Sequence, residues 1–267
     1  MADATLILAV DTAGPVLGVA ILAAEPPGTA RILAAREYPG QVRHVENLPG
    51  AVEDLLSARG IGLSELSAVA VSRGPGSFTG LRVGTAFGKA LSLARGLPLV
   101  ATDSLEALAR CEQYGIPAPE LRDHSLKAPS ETRLIVPAID ARKGRYYAAL
   151  FSVVKAELSR LSGDRDLTPT ALAELVGRWR YSAARCLVPG AAGDELAEQL
   201  GGESGAYRGA SAAVGLAIGA QAALGRGETL GRYEGPSYLR ESDIGIRARQ
   251  PRFQSEGASP EPSVEEP

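Results

Sequence analysis

Ser72-Arg73-Gly74-Pro75-Gly76-Ser77-Phe78-Thr79-Gly80-Leu81-Arg82 joins a short apolar run, Leu66 to Val71, to a longer one rich in Leu, Ala and Val that ends near Arg95. The first reads as a strand and the second as a helix, so the junction decides the fold. Its three glycines permit positive φ and close backbone approach, Pro75 stiffens the turn, and Ser77 or Thr79 can cap the first free N–H groups of the helix. Such a turn can also cradle an anion at the helix N-terminus. Neither familiar phosphate loop fits the spacing: no lysine follows the glycines as in G-x-x-x-x-G-K-[ST], and Thr79 takes the third glycine's place in G-x-G-x-x-G.

Upstream, Leu6 to Val10 and Val16 to Leu22 flank the turn Asp11-Thr12-Ala13-Gly14-Pro15 and read as a hairpin, followed by a strand from Ala30 to Tyr38. Val45, Leu48, Val52, Leu55 and Leu56 then recur at helical spacing. Downstream come a strand at Leu97 to Ala101 and a helix from Ser104 to Glu112, capped by Asp103 or Ser104. The order βββαβαβα over residues 1–112 is that of a ribonuclease H-like lobe. Residues 113–132, with Pro117, Pro119 and Pro129, break every periodicity and read as an irregular insert or linker. Sliding the chain by 129 residues lays Ile7–Leu22 over Val136–Phe151 and Asp11 over Asp140, the mark of a duplicated fold. A second ribonuclease H-like lobe is therefore expected over 133–250, including a buried helix at Ala210 to Leu224. An acidic, disordered tail is expected over 251–267. The fold class is α/β, with two lobes on the plan of the actin, sugar-kinase and chaperone-ATPase (ASKHA) superfamily.

Composition narrows the chemistry. The net charge of −3 gives no global basic field for nucleic acid or an anionic membrane. Arg240, Arg247, Arg249 and Arg252 leave local phosphate contact open beside a solvated segment. Cys111 and Cys186 form no CxxC, and no basic leader opens the chain, so a reduced, cytoplasmic, soluble protein is expected. His44 and His124 cannot form H-x-x-x-H or HExxH, which argues against a histidine metal centre.

Two surfaces carry alternatives. In the ASKHA plan, Asp11 and Thr12 with Gly74, Gly76, Ser77 and Thr79 would line a nucleotide-binding cleft, while Asp11 and Asp140 serve equally well as Asx-turn residues. The second acidic turn, Asp140-Ala141-Arg142-Lys143-Gly144, is basic rather than glycine-rich, which weakens nucleotide use. The helix from Gly80 is apolar nearly all round, and Gly80, Gly84 and Gly88 form a small-residue stripe. Either the neighbouring helix covers it, or His44, Leu48, Val52, Leu55, Gly80, Gly84, Phe87, Gly88 and Leu91 face a second subunit. On the latter reading Gly84→Leu blocks association and leaves the isolated chain folded.

The motif from Arg73 to Arg82, with Asp11-Thr12, His44, Ser104-Leu105-Glu106-Ala107-Leu108 and Ile139-Asp140-Ala141-Arg142, resembles the bacterial TsaB (YeaZ) family of tRNA threonylcarbamoyladenosine biosynthesis proteins. The resemblance implies a non-catalytic scaffold subunit, with no cofactor required by this chain and ATP used in the complex. It implies a TsaD-type transferase and a TsaE-type ATPase as partners, a homodimer when alone, and tRNA contact only through the complex. Two alternatives stand beside it: an ATP-binding hydrolase or kinase of the same fold, and a glycoprotease-like peptidase.

Overall fold

Thr5–Asp11 carries no charge before its last residue and, with one face against each core layer, forms the central strand β1. The computed structural model describes residues 4–25, 29–38, 44–116, 121–127, 132–179, 184–187, 192–205, 207 and 210–239. From β1 the chain makes an antiparallel meander through β2 (Leu17–Glu25) and β3 (Thr29–Tyr38). Alternating helices and strands follow: α1 (His44–Ser57), β4 (Ala68–Gly74), α2 (Phe78–Arg95), β5 (Leu99–Asp103) and α3 (Ser104–Gln113). Ser77 caps α2 by accepting the Gly80 N–H, Asp103 caps α3 by accepting the Glu106 N–H, and Gly96 closes α2 in the left-handed conformation.

The stretch read as an irregular insert contains a strand. β6 (Leu121–Ser125) pairs antiparallel with β3, giving the sheet order β5-β4-β1-β2-β3-β6. Only Leu121 of β6 is buried, so its hydropathy carries no alternation. Pairing and the Arg59–Asp123 ion pair at 2.7 Å define it instead.

The second lobe comprises β7 (Arg133–Asp140), β8 (Tyr146–Ala148), β9 (Phe151–Val154), β10 (Glu157–Arg160), β11 (Arg165–Leu167), α4 (Pro169–Gly177), β12 (Ala184–Leu187), α5 (Ala192–Gln199) and β13 (Glu203–Ser204). Its path β10-β9-β7-β12-β13 repeats β3-β2-β1-β4-β5 of the first sheet, with β8 and β11 as a side pair. Asp11 and Asp140 end the equivalent strands, and each accepts the N–H two residues on, from Ala13 at 3.0 Å and Arg142 at 2.7 Å.

The last helix departs from the expected lobe division. α6 (Ala213–Gly225) lies within the 133–250 segment but packs on the first sheet and on α3. A Cβ on Gly215 would stand 1.8 Å from the Ala107 carbonyl and one on Gly219 would stand 2.5 Å from Thr102, so both glycines serve this close approach. One core layer joins the sheet to α3, α6, β7 and β9, and the layer on the other face joins it to α1 and α2. Beyond α6 the chain straps back over the first sheet: Leu230 donates to the Leu99 carbonyl at 2.7 Å and Ser237 to that of Arg73 at 2.8 Å. The expected tail at 251–267 lies outside the described residues. No described helix is long and apolar enough to cross a membrane.

Candidate functional site: a closed cleft and an open groove

Asp11, Gly18 and Glu37 stand in one row across β1, β2 and β3. The missing side chain at Gly18 makes room for Ser211, whose Oγ would lie 1.8 Å from a Cβ there. The two carboxylates on either side then take the head of α6. Glu37 accepts the N–H groups of Ala210 at 3.1 Å and Ser211 at 2.7 Å, Asp11 accepts that of Ala212 at 2.5 Å, and Ser211 Oγ accepts that of Ala213 at 3.1 Å. These are the donors a helix start leaves unsatisfied, and negative charge there also complements the helix dipole. Burial raises the Asp11 carboxyl above its ordinary range, against the pull of the Ala13 and Ala212 N–H groups. Burial likewise raises Glu37, with the Asp11 charge adding to it.

The glycine turn is filled by the same chain. Thr12 Oγ1 donates to the Gly80 carbonyl at 2.7 Å, and the Ser77 N–H donates to that of Ala13 at 2.7 Å. A Cβ on Gly76 would stand 2.7 Å from the Ala13 carbonyl, and one on Gly80 would stand 1.9 Å from that of Thr12. Gly74, at φ +115, faces the Ser237 carbonyl. Thr79 is exposed. Of the nucleotide-cleft residues, Asp11, Thr12, Gly76 and Ser77 thus come together, but around their own backbone. Glu37 belongs to no motif in the sequence; its only flag is Gly18 inside a strand, a sign of close approach by another backbone.

The glycine stripe expected at a partner interface faces inward. A Cβ on Gly84 would stand 2.5 Å from Thr12 Oγ1, and Gly88 abuts Val71 and Leu99. Gly80, Gly84 and Gly88 therefore set the distance of α2 from its own sheet, and Gly84→Leu is incompatible with the fold rather than with association. Leu55 is also buried in the core, and His44 opens α1 half-buried.

The outer faces of α1 and α2 remain open. Between them run two confluent depressions of about 630 and 550 Å³ that share Pro49, Phe87 and Ala90. Leu48 and Val52 form part of the floor, and Leu91 and Leu63 one end. Val45 and Leu93 beside it are 66% and 78% exposed, so the apolar surface is contiguous, the kind that marks an interaction site. α1 contributes Glu46, Glu53 and Asp54 and no Lys or Arg, whereas α2 contributes Arg82, Lys89 and Arg95 and no acid.

A third feature links the lobes. Arg160 of β10 reaches Asp103 at 3.0 Å and also bonds Asp164, above the Phe151 ring. Burial, then hydrogen bonding and repulsion from Asp164, push the Asp103 carboxyl up to about 7 against the pull of Arg160. Among the described residues no three His, Cys, Asp or Glu side chains are placed to hold a metal ion.

Duplicated lobes of one strand order, each with an Asx-turn aspartate ending its first strand, define an α/β protein of the ASKHA plan. The family model described as TsaD, tRNA N6-adenosine threonylcarbamoyltransferase, matches residues 39–178, just over half of the 267. The chain belongs to this family, in its TsaB (YeaZ) branch. It is 30% identical over 161 residues to the tRNA threonylcarbamoyladenosine biosynthesis protein TsaB of Bacillus subtilis, a match covering 60% of this chain and 61% of that one. It is 32% identical over 143 residues to TsaB of Escherichia coli, covering 54% and 53%. The matches thus span little more than half the length of these curated relatives. Among solved structures, a Pseudomonas aeruginosa protein described as similar to peptidase YeaZ superposes with a TM-score of 0.64 at 25% identity, over 88% of this chain and all of that one.

Proposed function

We propose that this chain is a non-catalytic scaffold subunit in the formation of threonylcarbamoyladenosine in tRNAs reading codons that begin with A, and that it holds and activates a TsaD-type transferase. The observation that carries this reading is the uncovered apolar groove between α1 and α2. A face of this size costs solvation free energy when bare, about 25 cal/mol per Å² of apolar surface, and a subunit seated on it removes that cost. The names and family of the relatives supply the partner's identity. The closed cleft argues in the same direction, since both Asp11 carboxylate oxygens accept backbone N–H groups and the glycine turn packs on Thr12 and Ala13. A metal–nucleotide site would compete with each of those contacts, which counts against the hydrolase or kinase alternative.

In this reading ATP chemistry belongs to a TsaE-type subunit, tRNA is met through the assembly, and the chain works in the cytoplasm. The same groove pairs two copies when the transferase is absent. The test is co-purification with a TsaD-type transferase from the same cells, together with nucleoside mass spectrometry of a depleted strain. Capture of the transferase and loss of the modified nucleoside are expected. Steady ATP turnover by the isolated chain, abolished by Asp11→Asn, would replace the scaffold with an ATPase.

A further inference from the structure

The groove has an electrical sense as well as an apolar floor. Its α1 wall is acidic and its α2 wall basic, and the two cations nearest the groove differ in how they are held. Lys89 is spent within the chain, its ammonium donating to the carbonyls of Arg232 at 2.9 Å and Glu234 at 2.5 Å. Arg82 is held but not spent. Its guanidinium lies 3.8 Å from the Phe78 ring centre, and its Nε donates to Tyr238 Oη at 3.2 Å. Phe78 and Tyr238 stack at 4.9 Å between centroids. No acceptor among the described residues takes Nη1 or Nη2, and Arg82 lines the mouth of the groove together with Phe78. A stacked guanidinium has already lost most of its side-chain freedom, so its two outer N–H pairs are pre-arranged for a bidentate carboxylate. On the opposite wall, Glu53 lines the far half of the groove.

Resting on the reading that a transferase subunit docks in this groove, we infer that its seat is an amphipathic helix whose apolar ridge is flanked by a carboxylate set against Arg82 and a cation set against Glu53. The crossed charges fix which way the partner lies. An inverted helix would set its carboxylate against Glu53 and its cation against Arg82, both repulsive. Charge pairs at a desolvated rim act in this way mainly on orientation and selectivity.

The experiment measures dissociation constants of the full-length chain with the purified TsaD-type transferase from 50 to 500 mM NaCl, using wild type, Arg82→Gln, Arg82→Lys and Ala90→Asp, with thermal unfolding to verify each fold. Arg82→Gln is expected to weaken binding ten- to hundredfold and to flatten its salt dependence. Arg82→Lys keeps the charge but not the fork, so it should restore the salt dependence and only part of the affinity. Ala90→Asp, in the groove floor, should abolish binding. If Ala90→Asp abolishes binding while Arg82→Gln binds with wild-type affinity and salt slope, the groove docks its partner without this anchor and the inference is overturned. If Ala90→Asp binds like wild type, the docking reading itself fails and the inference falls with it.

Discussion

Asp11 Oδ2 accepts the backbone N–H of Ala212 at 2.5 Å, joining the end of the first strand to the head of the last helix across 201 positions of sequence. Asp11 Oδ1 takes the Ala13 N–H in the same turn. An aspartate that the superfamily plan would set beside a metal and a phosphate here fastens the C-terminal helix to the first sheet.

Asp11→Ala should therefore act on stability. It leaves the Ala13 and Ala212 N–H groups buried without acceptors, each costing about 1–3 kcal/mol. The expected loss of roughly 2–5 kcal/mol corresponds to a fall in Tm of about 5–15 °C for a chain of this size. Asp11→Asn keeps one acceptor oxygen and should lose about half as much. Calorimetry showing both variants as stable as wild type would mean that the Asp11 contacts contribute nothing to the fold.

The two sides of α2 predict opposite phenotypes for similar changes. Gly84→Leu drives a side chain into Thr12, which sits 2.5 Å from the Cβ position, and overpacking against backbone-tethered neighbours costs about 1–3 kcal/mol or more. Ala90→Leu adds the same bulk on the groove-facing side and should leave Tm within about 2 °C, since surface changes of this kind stay near ±0.5 kcal/mol. Circular dichroism melts of the isolated variants separate the two directly.

Stability should rise on mild acidification. The Asp103 carboxyl moves from 3.8 to about 7 on folding, so between those values the folded chain binds the proton that the unfolded chain releases. Its contribution is fully present below about 4 and is lost as the pH climbs through 7. Asp11 and Glu37, also raised, act with the same sign. Tm at pH 5.5 should exceed Tm at pH 7.5, and Asp164→Asn, which removes the neighbouring carboxylate, should shrink the difference. An unchanged slope in that variant would assign the pH dependence to Asp11 and Glu37 instead.

Much of the first lobe was legible because its segments carry strong local signals. Leu6 to Val10 is apolar without a break, as a strand buried on both faces must be, Ser77 and Asp103 are cap residues at the expected offsets, and the order of elements follows from their periods. The duplication was legible too, since Asp11 and Asp140 end equivalent strands. What escaped was relational. Ala213–Gly225 reads as buried from hydropathy alone, but hydropathy does not say against what, and it lies on the other lobe's sheet. β6 has one buried side chain and no alternation. The stripe Gly80, Gly84, Gly88 announces a close approach, and a stripe looks the same from within whether the approaching backbone belongs to Thr12 or to another subunit. The open groove was half legible: Phe87 and Leu91 line it as expected, whereas nothing in the pattern singles out Pro49, Ala90 or Arg82.

The strap that follows α6 yields the last prediction. β5 is an edge strand of the first sheet, and Leu230 both donates to the Leu99 carbonyl and packs on the cluster of Val69, Val71 and Leu99. Further along, Ser237 meets Arg73, and Tyr238 closes over Phe78 and Arg82. An uncovered edge with apolar neighbours is a template for pairing with another chain. Truncation after Gly227 should thus bare the β5 edge and release the two carbonyls that hold Lys89. The shortened chain is expected to melt lower and to form higher oligomers above micromolar concentration, read by light scattering after size exclusion. Truncation after Phe253 keeps the strap and removes a segment of Ser, Pro and Glu too poor in apolar side chains to bury much area, and it should leave both stability and transferase binding unchanged. Should the two truncations behave alike, the strap's contacts with Leu99 and Arg73 protect nothing, and the edge is guarded by its own twist and by the charges around it.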